Sequence, residues 1–133
     1  MKFKYKKYAP QIIRPVIPIG ISYKNSFIQH EVLIDSGADR CIFDAEIGKI
    51  LGIDIEKGKK DFVAGLSGKS EPYYIHPVVI TVGGYNFSIE AGFKHGYIWP
   101  YSIVGQIGFF NNFITKFNYR KGEIDLYPRT DVN

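Results

Sequence analysis

Runs of β-branched and aromatic residues recur along this chain, broken by short polar and glycine-containing clusters. Val16 to Tyr23 and Phe27 to Ile34 are two such runs, separated by Lys24, Asn25 and Ser26, and together they predict a β-hairpin. Cys41-Ile42-Phe43 resumes an extended apolar run. Asp44 is placed to cap a short helix from Ala45 to Leu51, with Ile47, Ile50 and Leu51 on one face and Gly52 past its end. Gly65-Leu66-Ser67-Gly68-Lys69-Ser70 reads as the tip of a glycine-rich hairpin. Tyr73 to Val82 and Tyr85 to Phe93 flank a Gly83-Gly84 turn and predict a further hairpin. Ser102-Ile103-Val104-Gly105 is a short buried strand, Gly108 to Phe113 a helical turn, and Phe117 to Tyr119 with Glu123 to Tyr127 a last hairpin around Lys121-Gly122. Short strands with closely spaced turn signals predict an all-β fold, a closed or partly open barrel with one or two short helices.

Composition narrows the class. At 133 residues, 45% hydrophobic and 16% aromatic, the chain can build one core, which excludes disorder for its bulk. Lys plus Arg number 17 against 13 Asp plus Glu, and the excess sits in Lys2, Lys4, Lys6 and Lys7. Residues 1–8 are therefore expected as a basic, solvated tail and residues 9–133 as a single domain. A folded body without a net basic excess argues against a nucleic-acid partner. The single cysteine, Cys41, can form neither an internal disulfide nor a cysteine-based metal site. A reducing, cytoplasmic setting is expected, with no export signal, no membrane span and no cofactor.

Candidate chemistry centres on Val32-Leu33-Ile34-Asp35-Ser36-Gly37-Ala38, where a carboxylate leaves an apolar strand and a hydroxyl and a glycine follow. Asp-Ser-Gly is by itself ordinary turn chemistry. Its setting resembles the active-site loop of the retropepsin-like (retroviral-type, single-domain) aspartic proteases, whose signature is a short apolar run followed by Asp-Ser/Thr-Gly-Ala. Two further segments fall in the same order. Gly65, Leu66, Ser67 and Gly68 resemble the tip of the family's substrate-covering flap, and Ile103-Val104-Gly105 resembles the second apolar-apolar-glycine element that braces the loop. The segment from Ala9 to Ile34 is similar as an extended strand followed by a hairpin. One departure concerns Gln106, which stands where the family usually carries an arginine bonded to the acidic residue after the loop; that acidic position is Asp39, to which Gln106 could still donate.

The resemblance implies an aspartic endopeptidase acting on a polypeptide. Peptide hydrolysis needs a base to activate water and an acid to protonate the carbonyl oxygen, and two carboxylates sharing one proton supply both. One Asp-Ser-Gly in a chain of this length implies a homodimer with Asp35 of each copy at the two-fold axis. By the same resemblance Ser36 hydrogen-bonds across the dyad, Gly37 and Ala38 complete the loop, Asp39 and the flap tip bind substrate, and Gly122 to Tyr127 supplies a strand that pairs across the dimer. The alternative is a dimeric peptide- or protein-binding module that has lost hydrolysis. Gly68-Lys69-Ser70 lacks the preceding glycine of a phosphate loop, and His30, His76 and His95 lack metal-ligand spacing. Cys41 reads as a small core residue, and Tyr73, Tyr74, Tyr97 and Trp99 as packing aromatics rather than stacking platforms.

Overall fold

The computed structural model describes residues 1–65 and 67–130. In chain order its elements are β1 (Lys2–Lys4), β2 (Lys6–Ala9), β3 (Ile12–Arg14), β4 (Val16–Tyr23), β5 (Ser26–Ile34), β6 (Ile42–Asp44), α1 (Ala45–Ile50), a 3-10 turn (Ile55–Lys57), β7 (Lys59–Ala64), β8 (Ser70–Val82), β9 (Tyr85–Lys94), β10 (Ser102–Val104), β11 (Phe113–Asn118) and β12 (Glu123–Pro128). The fold is all-β, as the residue pattern predicts, with one short α-helix.

Seven strands form the main sheet in the order β4-β5-β10-β6-β9-β8-β7, and β4 also pairs with β8. That last pairing, Gly20 to Ser22 against Val79 to Thr81, bends the sheet into a ring and leaves β7 outside it. Ile17, Ile21, Val32, Phe43, Ile80, Val82, Phe93 and Val104 fill the interior with almost no solvent exposure. Both Gly83 and Gly84 have positive φ, which lets β8 turn into β9 in two residues.

Of the three apolar positions predicted to face inward, Leu51 is buried and Ile47 packs partly on the core, while Ile50 does not. Ala45, Gly48 and Leu51 face the core, Gly48 lying against Ile55 and Phe93, whereas Ile50 is 64% exposed. Asp44 caps it as expected, accepting from the Glu46 N–H at 3.0 Å. Gly108 to Phe113 forms turns rather than a helix, with helix-type bonds from Phe109 N–H to Gly105 O and from Phe113 N–H to Phe109 O. The last hairpin begins earlier than its sequence suggests, because Phe113 is buried and already belongs to β11.

Two expectations about the termini are corrected. The basic tail is not a free arm: β1 pairs antiparallel with β12, placing Phe3 against Ile124, and β2 pairs with β3. Period-two alternation explains this, since Phe3 and Tyr5 pack on the core while Lys2 and Lys4 stay exposed. Ala9 ends β2 at a turn, with Gln11 at positive φ, rather than opening an extended strand. The other correction concerns Gly122 to Tyr127. β12 is the middle strand of the sheet β1-β12-β11, so both of its edges are already used within the chain and it has none to offer a partner.

Candidate active site

β5 carries the apolar run Val32-Leu33-Ile34 to the edge of the core and ends there, so Asp35 emerges half-buried with its side chain beside solvent. The adjacent strand β10 runs parallel to β5, pairing Ser102 with Val32, Ile103 with Leu33 and Val104 with Ile34. On its other side Ile103 pairs with Ile42 of β6. β10 is thus wedged between the strand entering the Asp35 loop and the strand leaving it.

Main-chain bonds from this wedge define the loop. Asp35 N–H donates to Val104 O at 3.0 Å, Gln106 N–H to Ala38 O at 2.8 Å and Ile107 N–H to Asp39 O at 2.9 Å. Inside the loop, Ala38 N–H donates to Asp35 O at 3.2 Å and Gly37 N–H to Asp35 Oδ1 at 2.9 Å. One carboxylate oxygen of Asp35 is therefore oriented by the main chain of the residue two positions on. Gly105 lies where the two segments touch most closely: a β-carbon there would meet the backbone of Ala38 and of Arg40. Ser36, Gly37 and Asp39 are exposed and Ala38 is half-buried.

Gln106 does not take up the role expected of it toward Asp39. Its side-chain amide donates instead to Ser36 O at 2.6 Å, pinning the loop through backbone. The amide stem is shorter than an arginine's, and it reaches the nearer carbonyl.

β7 and β8 form a hairpin, with Ala64 paired to Ser70 and the tip closed by Gly65 N–H to Lys69 O at 2.8 Å and Gly68 N–H to Gly65 O at 3.0 Å. Ser67 and Gly68 are exposed at this tip, and Leu66 lies outside the described residues. A cleft of about 370 Å³ runs from the tip end of this hairpin to β10, lined by Val63, Gly65, Ile42, Ile103, Ile98 and Trp99 among others. The structure therefore brings Gly65 and Ile103 to one cleft. An ion pair, Lys94 Nζ to Glu71 Oε1 at 2.6 Å, stands in its wall. Sequence reading missed Ile42, Ile98 and this pair as cleft residues; the signal was the aromatic, glycine- and proline-containing stretch after β9, which forms a loop rather than a strand.

Cys41 is fully buried, and its thiol lies 3.5 Å from Ile107 O. Burial pushes this thiol up from about 9 to about 11, so it is a packing residue and no nucleophile. His30 sits beside the buried Ser102, Nε2 to Oγ 2.8 Å, and burial lowers its basicity. His76 bonds Ile55 O at 2.7 Å within the core.

No family model matches the chain, and no curated protein matches its sequence. Solved structures do resemble it. A retropepsin-like aspartic protease from Rickettsia conorii is 16% identical, with 93% of this chain and 97% of that one covered and a TM-score of 0.66. The EIAV protease complexed with the inhibitor HBY-793 is 21% identical over 75% of this chain and 88% of that one, with a TM-score of 0.53. The retroviral protease-like domain of Ddi1 from Leishmania major is 14% identical over 92% and 100%, again at 0.53. The chain has a retropepsin-like fold.

Two outcomes follow from this packing. Gly105→Ala is expected to cost about 1–3 kcal/mol, because the new methyl meets backbone that cannot rotate away; an unchanged urea midpoint would contradict it. The raised Cys41 thiol contributes stability that is complete below its unfolded value and is lost as pH rises through its folded one. Wild-type stability should thus fall more steeply than that of Cys41→Ala between about pH 9 and about pH 11, and parallel denaturation profiles would exclude this.

Proposed function

We propose that this retropepsin-like fold is an aspartic endopeptidase, hydrolysing peptide bonds through a water activated by two Asp35 carboxylates, one from each copy of a homodimer. The observation that carries the reading is the half-exposed Asp35 carboxylate, oriented by the Gly37 N–H on a loop whose backbone is bonded to Val104 and Gln106. Isologous two-fold symmetry would set two such loops face to face, and like charges that close cannot both ionise, so the pair shares one proton. The ionised carboxylate takes a proton from water as the oxygen attacks the peptide carbon. The protonated one delivers its proton to the carbonyl oxygen, giving a tetrahedral diol; the carboxyl that took the water proton then passes it to the amide nitrogen, the C–N bond breaks, and the other carboxylate takes back a diol proton.

In this reading Ser36 bridges the dyad and Gly37 and Ala38 let substrate backbone approach the carboxylates. Gly65, Leu66, Ser67 and Gly68 act as the flap tip and Asp39 binds substrate main chain. A polypeptide would lie extended along the cleft, its backbone bonded strand-fashion and its side chains chosen by the cleft walls. The names of the structural neighbours, all proteases or protease-like domains, support the class. The second reading, a dimeric peptide-binding module without hydrolysis, is favoured by Gln106, which leaves Asp39 without the arginine partner usual in the family.

Asp35→Asn keeps the shape and hydrogen bonding of the loop but removes the base. It is expected to abolish cleavage of a peptide mixture, read by mass spectrometry, while leaving the oligomeric state intact; cleavage by the purified variant would sink the assignment. The wild-type rate should peak below neutrality and fall as the shared proton is lost, so a rate still climbing past about pH 9 would argue for other chemistry.

A further inference from the structure

Main-chain bonds tie one end of the crossing strand β10 to the Asp35 loop, and its other end is tied by a side chain. Between β10 and β6 there is a single register pair, Ile103 with Ile42. Beyond it the Asp44 N–H donates to Ser102 Oγ at 3.3 Å, so a hydroxyl takes over where the ladder stops. From the opposite side His30 Nε2 lies 2.8 Å from the same oxygen. His30 stands on β5 two residues before Val32, the register partner of Ser102, and shares its face with the buried Val32 and Ile34. One oxygen atom thus joins β5, β10 and β6 at the end of the wedge away from Asp35.

Counting donors fixes the state of the ring. Ser102 has no solvent exposure, and its oxygen already accepts from Asp44. The hydroxyl proton needs an acceptor, and His30 Nε2 is the partner it has among the described residues. Nε2 is therefore the bare nitrogen, and the ring proton sits on Nδ1. A second proton would enter at Nε2, turn it into a donor and leave the hydroxyl proton of a fully buried side chain without an acceptor.

The surroundings also resist that proton. Burial lowers the basicity of His30 and outweighs Asp44 of β6 and the adjacent Glu31, whose charges raise it. Glu31 is itself paired with Lys6 of β2. The other residues around the ring in its shallow surface hollow, Pro18 of β4, Gln29 and Pro100, carry no charge.

We infer that Ser102 and His30 are positioning residues for Asp35: the Ser102 hydroxyl cinches the wedge while His30 is neutral, and a proton on His30 Nε2 releases it. Resting on the endopeptidase reading, this names a control on the same site, an acid limit to activity set by a side chain that touches neither substrate nor the reacting atoms. The sign follows from linkage. The folded chain binds this proton less readily than the unfolded one, so stability present above the ordinary imidazole value of 6.5 is lost as pH falls through the lower folded value.

The test starts with the full-length chain labelled with 15N-histidine, its ring nitrogens read by NMR and assigned with His30→Gln. At neutral pH His30 is expected to be bare at Nε2 and protonated at Nδ1, with a midpoint below 6.5 that shifts upward in Ser102→Ala. A neutral ring protonated at Nε2, or a midpoint that Ser102→Ala leaves in place, would overturn the assignment. Urea midpoints of wild type should fall relative to those of His30→Gln on acidification below 6.5, and parallel curves would count against the release. In cleavage of a peptide mixture, the acid limb of the rate profile should move to lower pH in His30→Gln while the alkaline limb stays in place. Coinciding acid limbs would remove the control and leave the endopeptidase reading standing. The expected tautomer and urea midpoints with no cleavage by either protein would support the control of the wedge and remove the endopeptidase reading.

Discussion

The contact on which this structure depends is the passage of Val104, Gly105 and Gln106 between the two halves of the Asp35 loop. Val104 O holds the Asp35 N–H and Ala38 O holds the Gln106 N–H, so the loop is tied at its entrance and in its middle by one crossing segment. This requires β10 to run parallel to β5 and antiparallel to β6, which neighbouring strands in a simple meander do not do. It also requires a residue without a side chain at position 105. Once the crossing is in place the ring order is set, and the closure of β4 on β8 completes a barrel with the loop at one end. A loop tied in this way holds the Asp35 carboxylate in one orientation, with Gly37 N–H on its Oδ1.

Much of this was legible in the residues. The apolar run Val32-Leu33-Ile34 leads through Asp35 and Ser36 to Gly37, Ile103-Val104 leads directly to Gly105, and a buried strand that ends at a carboxylate is rare enough to draw notice. Strands β4, β5, β8 and β9 follow from β-branched runs bounded by polar or glycine turns. What sequence could not supply is the partner of each strand. The lysines of residues 2–7 dominate a charge reading, but Phe3 and Tyr5 between them decide the outcome, because two aromatic side chains on one face are worth more buried than four exposed lysines cost. Ile50 departs from the inward face of α1, which Ile47 and Leu51 keep, for a related reason. Gly48 leaves room for Phe93 and Ile55 to approach the helix backbone, so the smallest residues face inward and Ile50 is left outside. Gln106 illustrates the limit at the site itself: a donor was correctly expected there, yet which carbonyl or carboxylate it reaches is set by a few ångströms of backbone.

The termini change the balance between folding and association. With β1 and β12 paired inside the chain, Met1, Phe3, Ile124 and Leu126 add to the core without any partner copy. A single copy thus has a core reaching from Met1 to Leu126.

Two surfaces of this molecule combine exposed apolar side chains with a buried hydroxyl that lacks a partner. Exposed apolar side chains gather at the cleft, where Val63, Ile98 and Trp99 stand, and along the terminal sheet, where Ile114, Phe117 and Tyr127 stand. Buried polar atoms without a partner are scarce in folded proteins, and each calls for an explanation. Among the described residues two side-chain hydroxyls are in that state, Tyr97 and Thr115. Tyr97 belongs to the wall of the cleft, and Thr115 to β11. Both atoms thus lie beside exposed apolar side chains, one at the cleft and one at the terminal sheet.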